Sequence, residues 1–76
     1  MAFRRYIVRN RDNNAWLTHI YAEGKERIYR FVPDAREAKI FDTIHEARKV
    51  AEGCYGRVQV MKVGKDGTAY GEDVEK

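Results

Sequence analysis

Ligation of a soft metal, or nucleophile-and-base chemistry, would fall in this chain to His19, His45 and Cys54. Structural zinc takes four ligands arranged in close-spaced pairs such as C-x2-C, and no such pair occurs here. Cys54 and a histidine would make a thiol–imidazole dyad if the fold joined them. However, Cys54 falls on the apolar side of the helix described below, where a cysteine packs as a small hydrophobe. Asp34, Glu37 and Asp42 are near one another in sequence, but acids at turns and helix starts are normally solvated or capping. No G-x-G-x-x-G, G-x-x-x-x-G-K-[ST] or H-E-x-x-H run is present. The glycines of GKDG at 64–67 lack the following helix that a phosphate loop requires. The expectation is a protein that is not an enzyme and has neither metal nor cofactor.

Binding is better supplied. The net charge of +3 is uneven: residues 1–30 carry +4 and residues 31–76 carry −1. The same amino-terminal portion holds Phe3, Tyr6, Trp16, Tyr21 and Tyr29, so basic and aromatic side chains coincide. Arginine pairs with carboxylates or phosphates through a planar fork, and aromatic rings anchor interfaces. The candidate site is therefore Arg5, Tyr6, Arg9, Trp16, Tyr29 and Arg30, acting on a protein partner. The alternative is a nucleic-acid-binding module that uses Arg4, Arg11, Lys25 and Arg27 as well, with the rings stacking bases. No RNA-recognition or KH signature occurs. Capture of a small anion or nucleotide by the arginines is a third option.

These residues must be positioned by strands. Phe3 to Arg9 is rich in β-formers, Asn10 to Asn14 is a turn by composition, and Ala15 to Tyr21 is a second strand. After a turn at 22–25, with Gly24 available for positive φ, Glu26 to Val32 is a third strand, ended by Pro33. Residues 33–38 read as a turn or one helical turn, and Lys39 to Phe41 as a brief strand.

Thr43 to Gly53 is the one strong helix. Thr43 is a good N-cap with Glu46 three residues on, and Ile44, Ala47, Val50, Ala51 and Cys54 share a face. Gly53 is expected to close the helix in the left-handed conformation. Tyr55 to Val63 is a strand, Asp66-Gly67 signals a hairpin, and Thr68 to Gly71 is a short edge strand.

The fold expected is α+β: an antiparallel sheet of four to five strands, in the order β-β-β-(β)-α-β-(β), with one helix packed on one face. Alternation places Trp16 and Ile20 on one side of the second strand, and Leu17 and Tyr21 on the other. One short helix cannot cover both faces. The second face is then left for solvent, a partner or a second copy of the chain.

Seventy-six residues make one domain, expected over 1–72 with a charged tail at 73–76 that frays. Hydrophobic residues at 43% exclude a disordered tail as the whole chain. A lone cysteine fits a reducing compartment. No apolar run reaches the ~20 residues of a membrane span, and MAFRRYIVRN lacks the apolar core of a signal peptide. The expected location is the cytoplasm.

The pattern Y-I-V-R at 6–9, WLT at 16–18, A-x-x-F at Ala38 and Phe41, T-x-x-E-A at Thr43, Glu46 and Ala47, and a valine-rich closing strand resembles a known group. It is similar to small proteins of unassigned function common in phage and prophage genomes of Gram-positive bacteria. The resemblance implies an accessory protein of a mobile element that binds a host or defence-system component as an inhibitor, as anti-CRISPR proteins do. The matched positions are structural, so the resemblance assigns no site residue.

Overall fold

The computed structural model describes residues 4–74. Their order is β1 (Tyr6–Asn10), β2 (Trp16–Glu23), β3 (Glu26–Val32), a 3-10 turn (Ala35–Glu37), α1 (Ile44–Gly53), β4 (Gly56–Val63) and β5 (Ala69–Asp73). The strands form one antiparallel sheet in the spatial order β3-β2-β1-β4-β5, so the chain has the expected α+β architecture. Phe3 at the start of the expected first strand, and Glu75 and Lys76 of the expected tail, lie outside the described residues. The last strand runs through Asp73, past the boundary expected at 72, and Val74 packs on the core.

Local chemistry explains the elements. The turn between β2 and β3 is two residues long, with Gly24 at φ 62° in the place where a type II′ turn wants glycine. At the β4–β5 hairpin, Gly67 takes φ 85°, and the Asp66 carboxylate accepts from the Thr68 N–H at 3.0 Å. Thr43 caps α1 by accepting from the Glu46 N–H at 3.2 Å. Ala47 and Ala51 are buried, and Ile44, Val50 and Cys54 pack around them, so the helical face read from sequence is the face used. Gly53 is still helical, and the left-handed residue is Tyr55 at φ 54°. Gly53 is small for another reason: a Cβ there would meet the Tyr29 hydroxyl at 2.8 Å.

Each face of the sheet carries a small core. On the helix face, Val8, Leu17 and Val58 meet Phe41, Ala47 and Ala51. On the opposite face, Ile7 packs with Ala35 and Ala38, flanked by Trp16, Met61 and Ala69. The 3-10 turn thus covers part of the face that a single helix leaves open.

A bulge between Leu17 and His19 shifts the alternation of β2. Leu17 and Ile20 therefore face the helix together, while Trp16 and Tyr21 face away, which corrects the pairing expected from simple alternation.

The bulge accompanies a splay between β1 and β2. Among the described residues, these strands share register at Arg9 and Trp16 only. Beyond that pair, the connection to the helix lies between them. The Lys39 N–H donates to the Leu17 carbonyl at 2.8 Å, and Phe41 exchanges hydrogen bonds with Tyr6 at 2.8 and 3.1 Å. The chain passes from Ala38 on one face to Phe41 on the other through this gap. The brief strand expected at 39–41 is this single bridge to Tyr6.

Candidate functional site

The six residues singled out from sequence do not converge. Alternation along β1 and β3 sends Tyr6 and Tyr29 to the helix face, where both are half-buried against the core. Arg5, Arg9, Trp16 and Arg30 lie on the opposite face.

Trp16 is held from within rather than presented. Its indole N–H donates to Gln59 Oε1 at 2.9 Å, and Gln59 Nε2 donates to Asp73 Oδ1 at 2.8 Å. Gln59 is 5% exposed and is the one buried polar residue among those described. This chain satisfies a side chain that would otherwise cost about 1–3 kcal/mol to bury. It also needs glycine at 71, since a Cβ there would lie 1.8 Å from Gln59 Oε1.

Arg57 Nη1 donates to Asp73 Oδ2 at 2.9 Å, and Arg9 stands near enough to add a favourable charge. These neighbours, the Gln59 hydrogen bond first, hold the Asp73 carboxyl below its ordinary 3.8. Arg9 also donates to Asn14 Oδ1 in the β1–β2 turn.

What the fold assembles is a different set, at the end of the sheet where the β1–β2 turn meets the helix C-terminus. The Arg11 N–H donates to the Tyr55 carbonyl at 3.3 Å, and Arg11 Nε donates to the Gly56 carbonyl at 3.1 Å. Those bonds place the Arg11 guanidinium 5.8 Å from the centre of the Tyr55 ring, in cation–π range. Tyr55 is 61% exposed, one of the two most exposed large apolar side chains. Arg48, Glu52 and Arg57 join Arg11 and Tyr55 around an open groove of about 1130 Å³ that reaches Asp73.

The left-handed backbone at Tyr55 costs about 1 kcal/mol or more relative to glycine. Gly56, next in line, must be small because a Cβ would sit 2.4 Å from Val8 Cγ1.

The sequence offers Arg11 only as a phosphate contact and places Tyr55 at the start of a strand, whereas β4 begins at Gly56 and Tyr55 is the left-handed residue before it. The signal for Tyr55 was its place two residues after Gly53, at a helix exit where a glycine or asparagine is usual.

Cys54 lies half-buried at the end of α1, where desolvation pushes its thiol above the ordinary 9.0 and keeps it protonated. His45 is nine residues away along α1, about 13 Å at a helical rise of ~1.5 Å per residue. Among the described residues, no three His, Cys, Asp or Glu side chains form a metal-sized cluster. Among them too, no helix is long and apolar enough to cross a membrane. Comparison of the chain with protein-family models, curated proteins and solved structures finds no match.

Proposed function

We propose that this chain is a non-enzymatic binding protein that takes a protein partner in the groove bounded by Arg11, Tyr55 and Arg57. The observation that carries this reading is Tyr55: a large ring held in a left-handed conformation, exposed, and backed by an arginine tied to the same turn. Such strain persists where surrounding structure over-determines it, and it concentrates at ligand clamps. Tyrosine and arginine are also the residues that dominate interface energy.

Charge favours one of the two classes of partner. The groove sets Arg11, Arg48 and Arg57 against Glu52 and Asp73, and Asp73 already engages Arg57. The groove combines three arginines with two carboxylates, a pattern that a protein segment of mixed charge matches more fully than a uniform polyanion does. The sheet residues Arg5, Arg9 and Arg30 supply long-range attraction rather than anchors. An accessory protein of phage type, inhibiting a host or defence-system protein, fits this reading and the resemblance noted from the sequence.

The test compares Tyr55→Gly with the wild type. Glycine relieves the left-handed strain, offsetting the lost cation–π contact, so stability stays within about 1 kcal/mol of wild type. Capture of the partner from host lysate should fail while the fold is intact. Capture unchanged by both Tyr55→Gly and Arg11→Ala sinks the reading. Binding to single- or double-stranded oligonucleotides that weakens linearly in log[salt] would transfer the groove to nucleic acid.

A further inference from the structure

We infer that two copies of the chain join through β3, edge to edge, into a continuous antiparallel sheet. This rests on the outer strand and is independent of the groove. β3 is the end strand of the sheet, so among the described residues one side of its backbone has no neighbouring strand.

The hairpin fixes which backbone groups face outward. Glu23 and Glu26 close a two-residue turn, which makes them a hydrogen-bonded pair, and pairs alternate from there. Glu26, Ile28 and Arg30 therefore point their N–H and C=O groups toward β2. Arg27, Tyr29 and Phe31 point theirs to the open side.

An isologous antiparallel pairing must match outward-pointing residues with one another. Centring the two-fold axis on Ile28 does this, since Arg27 of each copy then exchanges hydrogen bonds with Tyr29 of the other. The same register sets Ile28 against Ile28 in a non-hydrogen-bonded pair, where side chains approach most closely. It also sets Glu26 opposite Arg30 twice, on the face away from the helix.

Ile28 is 46% exposed, and its neighbour across the hairpin, Tyr21, is 47% exposed, so the centre of this contact is apolar. Centring on Tyr29 instead would put Ile28 against Arg30 and Arg27 against Phe31, with no opposite charges matched. The strand is thus complementary to its own reverse in one register, with an apolar middle flanked by ion pairs.

The test is the oligomeric state of the full chain by sedimentation equilibrium over a range of concentrations, with circular dichroism as the fold control. A dimer is expected. Ile28→Lys, which opposes two ammonium groups at the axis, should give a monomer. Arg30→Glu should raise the dimer Kd about tenfold, and adding Glu26→Arg should restore it. The amides of Arg27 and Tyr29 should gain hydrogen-exchange protection as protein concentration rises, a readout that needs no variant. A wild-type chain that stays monomeric overturns the inference. So does a dimer indifferent to Ile28→Lys, or one whose Arg27 and Tyr29 amides exchange freely.

Discussion

Gly71 and Asp73 show how much of this molecule rests on a single close approach. Gly71 leaves room for the buried Gln59 amide, which links the Trp16 indole to Asp73. Gly71→Ala should expel Gln59 and destabilise the fold by about 2 kcal/mol, through overpacking and lost hydrogen bonds. Denaturant unfolding measures this, and the emission of the one tryptophan should move to the red in the folded variant.

Asp73 supplies the pH dependence. Its folded pKa is depressed, so its contribution is fully present above the unfolded value near 3.8 and is lost as pH falls through the lower folded value. Melting temperature should drop as pH falls below about 4, and Asp73→Asn should flatten the part of that drop that Asp73 causes. An unchanged acid limb would mean that Asp34 and Asp66, both also depressed by hydrogen bonds to nearby backbone N–H groups, carry the effect instead.

None of this was legible residue by residue. Gln59 in a run of valines reads as a solvent-facing position, and Trp16 reads as an anchor until its N–H is seen to be engaged.

At the scale of elements, the sequence was most informative where the chain solves a local problem. The α1 cap, its apolar stripe, Pro33 after β3 and the glycines at both hairpins were readable because each answers a nearby steric or hydrogen-bonding demand. Thr43→Ala should therefore cost about 1 kcal/mol, measured by thermal or denaturant unfolding, by leaving the Glu46 N–H without its acceptor. Positions set by distant contacts were not readable. The bulge in β2 depends on the connection lying beside it: the Thr18 hydroxyl donates to the Glu37 carbonyl at 2.6 Å, and Lys39 binds Leu17. One slipped residue there reversed the sides expected for Ile20 and Tyr21, and with them the surface offered to a partner. The left-handed residue after α1 is Tyr55 rather than Gly53, and its carbonyl is held by the N–H of Arg11, forty-four residues earlier in the chain.

The whole molecule is elongated, with extents of 42 × 24 × 22 Å, and is built as two parts meeting at a narrow join. The β2–β3 hairpin contacts β1 in register at Arg9 and Trp16, while β1, β4, β5 and α1 pack on one another more extensively. In the monomer, at concentrations below the dimer Kd, native-state hydrogen exchange should divide along this line, with β3 and the distal half of β2 exchanging as a faster unit than β1 and β4. Uniform protection across the sheet would contradict that division.

The connection threaded between β1 and β2 makes the two sides of the sheet parts of one covalent run. Ala38 belongs to one core and Phe41, three residues later, to the other. A side chain too large at Ala38 thus pulls on the same short tether that seats Phe41 beneath the helix. A contact that displaces Ala38 on one surface therefore acts three residues from the seat of Phe41 on the other.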